Sequence, residues 1–420
     1  MENIETKKFN IIDFFMIIML IAMLAFKDYS NISIITQVLF IFITVINMIT
    51  HKKVDIISFK YLGYKILFLI FCFISSIWSV NTANVYSACF TIALRMLTGF
   101  AIILYIRDRE QLKKFLLAYV FASFVLCCRM VLVVPMDAWG KIRVGNYLSH
   151  DINNSYENTG ITYVLGFAIT YLMMSKDLIK NKKLKYVLIA MFTLFSLLSG
   201  SKKQIILLIT NILVIALFKS KNILKILSRL LFATIGILIL LFCVFNNKYL
   251  YNVLGQRIEG FIYTINSDDR MSVDYSTGVD VSTSARLFLI QDAYNTFKQN
   301  PFLGVGTNCF KEVGTMKGKW AENNFFELLA DLGIIGFILY YSLYIYIITN
   351  LLKRIRDRNI YDILLIACLI SFLIIDFTMV TYMNNTLQLN LAIIYAINRI
   401  RMKESKEVKS TDLIMTRSNA

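Results

Sequence analysis

Residues Ser282 to Gly336 read STSARLFLIQDAYNTFKQNPFLGVGTNCFKEVGTMKGKWAENNFFELLADLGIIG. They form the longest polar interval in a chain otherwise built of hydrophobic stretches, and they run directly into one of those stretches, Phe325–Leu351. A long loop with ordered character in such a chain is a place to expect chemistry. Around it, 57% of the 420 residues are hydrophobic and 17% charged, with a mean hydropathy of +0.63. That balance excludes an ordinary soluble globular domain and predicts an all-α polytopic membrane protein.

A bilayer crossing needs about 17–25 apolar residues, and about twelve segments approach that length. They fall at Asn10–Phe26, Ile32–Thr50, Tyr61–Val80, Tyr86–Ile106, Phe115–Val134, Thr159–Ser175, Tyr186–Leu198, Gln204–Phe218, Leu230–Phe245, Phe325–Leu351, Tyr361–Val380 and Leu387–Ile400. The expected organisation is a bundle of nine spans over residues 1–245, then one large extracytoplasmic loop with amphipathic helices at 246–322. Spans ten to twelve follow at 323–400, and a charged, disordered cytoplasmic tail at 401–420.

Basic clusters at Lys7/Lys8, Lys52/Lys53, Arg107 to Lys114, Lys176 to Lys185, Lys219 to Arg229, Lys353 to Arg358 and Arg399 to Lys409 mark every second loop, which places both termini on the cytoplasmic side. The net charge of +17 is then largely topological and implies no nucleic-acid partner. Met19 to Lys27 lacks a small-residue cleavage pattern, so the first stretch reads as a span and not a cleaved leader. The seven cysteines are scattered, with Cys127-Cys128 reading as a buried helical pair, and no metal or disulfide framework is indicated.

Within the loop, Ser284 reads as a helix N-cap, followed by Leu287, Ile290, Ala293, Tyr294 and Phe297 at helical spacing. Arg286 then lies in the first turn, where a guanidinium and a helix N-terminus together favour an anion. Leu254–Ile265 mixes charges and aromatics as an interfacial helix does. Span ten starts at Asn323-Asn324, with Glu322 at its lip, and Glu327 and Asp331 share one face. Gly333 and Gly336 read as sites of close helix packing.

Three cationic features lie elsewhere. Arg95 sits mid-span, either as an interhelical hydrogen-bond donor or as part of an anion site. Lys202 and Lys203 occupy the outer turn Ser199-Gly200-Ser201, against the charge rule; they either snorkel to headgroups or bind an anionic substrate. Arg143 and His150 stand in the outer loop Pro135–Asn158, where His150 is either solvated or a base.

The set Ser284-Ala285-Arg286, Asn300-Pro301-Phe302-Leu303-Gly304-Val305-Gly306, Glu322-Asn323-Asn324 with Glu327, and Leu332-Gly333-Ile334-Ile335-Gly336 resembles the signature of the O-antigen ligase and polymerase family. This chain departs from the pattern in having Glu322 where the family usually has histidine. The resemblance implies metal-independent transfer of a glycan from an undecaprenyl-diphosphate carrier, without a cofactor, at the extracytoplasmic face of a bacterial cytoplasmic membrane. It implies Arg286 and Lys202 as diphosphate contacts and Glu322 as acceptor base, with Arg143, Asn323, Asn324 and Glu327 as substrate-binding candidates, to which the residues themselves add Lys203 in the basic outer turn and the mid-span Arg95. A repeat-unit polymerase fits the Glu-Asn-Asn variant better than a ligase does. The expected partners are the lipid-linked oligosaccharide, membrane lipid, a flippase and a chain-length regulator. A flippase or transporter is the rival class; such folds tend to show internal repeats and Gly- or Pro-broken helices. No repeat is visible here, and neither of the two prolines is mid-span.

Overall fold

The computed structural model describes residues 10–51, 56–139, 144–148, 156–175, 178–201, 203–218, 222–256, 258–259, 281–355 and 359–418. Among these residues regular structure is helical throughout, with no strand. The first nine helices are α1 (Ile11–Leu24), α2 (Ser30–His51), α3 (Ile56–Ile74), α4 (Thr82–Tyr105), α5 (Arg109–Val133), α6 (Tyr156–Met174), α7 (Lys182–Leu198), α8 (Lys203–Phe218) and α9 (Ile223–Asn246). After them come α10 (Val281–Gln299), α11 (Asn324–Leu352), α12 (Ile360–Asp376) and α13 (Asn385–Ser418). Many start at a side chain that accepts from the free amides of the first turn: Asn81, Asp108, Asn181, Asn222, Asn323 and Asn359.

Each predicted hydrophobic segment overlaps one of these helices, but among the described residues six helices are long and apolar enough to cross a membrane. These are Ser30–Thr50, Ile56–Ile77, Thr82–Tyr105, Arg109–Val133, Leu224–Asn246 and Asn324–Leu352. The shortfall from twelve is one of length in several cases, since at 14 residues α1 rises only about 21 Å against a hydrocarbon core of about 30 Å.

The core gathers around α13, which packs against α3, α4, α5, α6, α11 and α12. Leu387, Leu391, Ile394, Tyr395 and Ile397 are fully buried along it. Its polar residues are satisfied across the bundle: Tyr171 donates to Asn390 Oδ1 at 2.6 Å, and Lys65 Nζ donates to Gln388 Oε1 at 2.7 Å. Beyond Arg401 the helix continues to Ser418, so the expected disordered tail is helical here. Cys127 is buried but its neighbour Cys128 is exposed, so the two are not the buried pair expected.

The largest departure from expectation lies in α11. Gly333 has φ 62° and ψ −167° and splits the helix in two, so this chain does contain a glycine-broken span. The segment Pro301–Gly306 crosses the break and takes up the backbone groups it frees. Val305 N–H donates to Ala330 O at 3.0 Å and Gly306 N–H to Asp331 O at 2.8 Å, while Ile334 N–H donates to Pro301 O at 2.9 Å. Exposed backbone at membrane depth is tolerated only when it is paired in this way. The crossing is as close as two main chains can come. A Cβ on Gly304 would lie 2.3 Å from the Asp331 carbonyl carbon, and one on Gly333 would lie 2.3 Å from that of Phe302.

No side-chain rotation relieves a clash with backbone, and both glycines hold positive φ. Gly304→Ala and Gly333→Ala are each expected to destabilise by about 1–3 kcal/mol or more, read as a fall in melting temperature of the nanodisc-embedded protein. Gly63→Ala is the control: nothing lies within 4 Å of a Cβ there, and it should be neutral or slightly stabilising.

Candidate active site

Two segments of the signature build the platform. α10 buries Leu289 and Ala293, and Ala293 packs with Phe310, Ala321 and Ala330 beneath Phe326. Tyr294 meets Phe326 edge-on at 6.1 Å. Asp292 fastens the far side, accepting from the Thr315 amide at 2.6 Å and its hydroxyl at 3.1 Å. α10 is thereby locked alongside the first half of α11. The helix begins at Val281, so Ser284 lies inside its first turn and is not the N-cap expected; its buried hydroxyl has no partner among the described residues.

This packing brings the two predicted reacting groups together. Arg286 Nε stands 3.4 Å from Glu322 Oε2, with the side chains 33% and 40% exposed. A half-exposed pair contributes little to stability, so its position at the mouth of the platform is the notable property. Glu322 also holds φ 54°, a conformation that costs a non-glycine residue about 1–3 kcal/mol and persists only where neighbours over-determine it. The neighbours are visible. Ala321 N–H donates to Glu327 Oε2 at 2.6 Å, and Asn323 caps α11 by accepting from Phe325 and Phe326.

The remaining predicted residues divide clearly. Asn323 and Asn324 are consumed in the scaffold: Asn323 donates to Phe377 O at 3.2 Å, and Asn324 accepts from the Thr381 and Tyr382 amides while donating to Tyr341. Glu327 is fully buried, with Oε1 unpartnered among the described residues. Asp331, buried beside it, accepts from the amides of Asn308, Cys309 and Phe310 and from the Tyr382 hydroxyl. Lys203 Nζ donates to Tyr163 at 2.9 Å and to Thr378 O at 2.6 Å. Asn323 and Lys203 therefore bond to consecutive carbonyls, which fastens the Ser199–Ser201 turn to the lip of α11. Arg95 donates to Gln37 at 3.2 Å, the interhelical alternative considered for it. Lys202, Arg143 and His150 lie outside the described residues.

Composition gave no hint of the polar tie behind this site. Tyr341 and Thr381 donate to Asp376, and Gln388 donates to the Tyr340 hydroxyl and Thr381 O while accepting from Lys65. A lysine inside the predicted span Tyr61–Val80, at the midpoint of the observed α3, was the available signal, since an unpaired charge within a span is costly. Cys309 is fully buried, and burial pushes its thiol up to about 11. Among the described residues no three His, Cys, Asp or Glu side chains gather as a metal would require.

Apolar helices of membrane length, with a polar mouth at the end of one of them, define an integral membrane protein. Its sequence supplies the family. Residues 186–341 match the family model described as O-antigen ligase, so the chain carries a domain of the O-antigen ligase and polymerase family. The match runs from α7 through the broken region of α11 and contains every part of the platform described above. No curated protein matches the chain. Membership implies a membrane glycosyltransferase-like enzyme acting on lipid-linked oligosaccharides.

Proposed function

We propose that this protein is a polysaccharide polymerase, moving a glycan from a polyprenyl diphosphate to the hydroxyl of another lipid-linked repeat unit at the extracytoplasmic face. The observation that carries glycan transfer is the approach of Arg286 to Glu322 at 3.4 Å on a platform whose glycines hold it, and the choice of polymerase over ligase rests on the Glu322-Asn323-Asn324 variant. The acceptor hydroxyl loses its proton to Glu322 as its oxygen bonds to the anomeric carbon. The bond from that carbon to the diphosphate oxygen breaks, and Arg286 stabilises the charge that collects there. The guanidinium and carboxylate offset each other's charge at 3.4 Å, so a diphosphate bound by Arg286 frees Glu322 for the acceptor. Lys202 is the proposed second cation, carried on the turn that Lys203 anchors.

Ligase activity is the second reading, favoured by the description of the matching family model. The lipid-linked saccharides of cells lacking the protein separate the two. A polymerase deficit leaves single repeat units on the carrier, whereas a ligase deficit leaves finished polymer there. Orientation is tested in the same cells: a cysteine at Thr315 is expected to react with an impermeant reagent from outside, and one at Asn181 is not.

A further inference from the structure

We infer that Trp320 is a stacking platform for a sugar ring of the acceptor glycan. This deepens the transfer reading and rests on it. Trp320 stands two residues before Glu322 and is 37% exposed. Indoles at membrane surfaces usually point their N–H at headgroups or water, but here Nε1 donates to Asn308 Oδ1 at 2.9 Å. The polar edge is thus occupied from within the protein while part of the apolar ring remains open.

The support is built with some effort. Asn308 holds φ 58°, a region that asparagine tolerates better than most residues, and its amide is fixed by Asp331 at 2.9 Å. Lys311 Nζ lies 5.6 Å from the ring centroid, and the loop between them is closed by Gly318 N–H donating to Lys311 O at 2.8 Å. A rigid aromatic ring with its polar handle satisfied offers broad contact at little entropic cost. Beside a group that receives a hydroxyl proton, the ligand that suits such a face is a pyranose, whose ring stacks parallel to a π surface with its axial C–H bonds directed into it.

The test uses the purified full chain in nanodiscs, with oligomers released by mild acid from the polymer of the producing cells as the acceptor probe. Trp320→Leu is expected to raise the half-saturating oligomer concentration about tenfold or more, the usual scale for truncating a central tryptophan, with the maximal rate changed far less. Trp320→Phe should recover most of the loss. Asn308→Gly accommodates the left-handed backbone yet removes the amide, and should weaken oligomer binding in the same direction if the indole needs to be held. Parental half-saturation in Trp320→Leu, or, in a Trp78→Phe, Trp139→Phe background that leaves Trp320 as the one emitter, emission quenched by brominated lipid and unmoved by oligomers, would overturn the platform. Neither outcome touches the transfer reading, which fails separately if Arg286→Ala transfers at the parental rate.

Discussion

Glu322→Gln is expected to slow transfer by about 10²–10⁴-fold, the usual contribution of a general base, with little change in protein level. Glutamine keeps the size of the side chain and can still accept a hydrogen bond, but it cannot take up the acceptor proton. Glu322→His should retain more activity than Glu322→Gln, because imidazole is what the resembling family ordinarily places there. The backbone makes a further distinction possible. Glu322 holds φ 54°, which Gln adopts at a cost similar to Glu and His more readily, so Glu and Gln compare chemistry on one geometry and His is not penalised by the backbone. If Gln equals Glu and His is no better, the carboxylate only orients the acceptor.

Arg286→Ala is expected to lower the maximal rate by about 10²–10³-fold, as removal of one preorganised donor to a developing anion does. Arg286→Lys should recover little, since a point charge does not reproduce the fork a guanidinium offers to phosphate oxygens. Stability should barely respond, because the pair with Glu322 is a partly exposed one and such pairs contribute about 0–1 kcal/mol. This separates Arg286 from Gly304 and Gly333, whose substitution should reduce folded protein and activity together.

Much of the candidate site's framework was legible in the sequence because it is local. The amphipathic spacing of Leu287 to Phe297 announced α10, and Asn323 before an apolar run announced the start of α11. What stayed hidden depends on main chain meeting main chain across the sequence. Nothing in Pro301–Gly306 says that it will cross Gly333, about 30 residues further on, so Gly333 read as a helix-packing glycine when it is a break. Asn324 looked available to substrate, yet it is committed to backbone amides that only the folded loops bring near, as is Asp331. Lys65 and Gln388 are far apart in the chain and meet only in the core. The tail misled for another reason: Arg401 binds Asp362 and Glu404, and Glu404 binds Arg109, so charges that resembled a solvated segment hold α13 to α5 and α12.

The proposed role of Arg286 is to carry the diphosphate charge during glycan transfer. It is tested most directly by expressing Arg286→Ala at the parental level in place of the native chain and resolving the carrier-linked saccharides by length. Single repeat units on the polyprenyl diphosphate and no polymer ladder are expected. A full-length ladder at the parental intensity would contradict it.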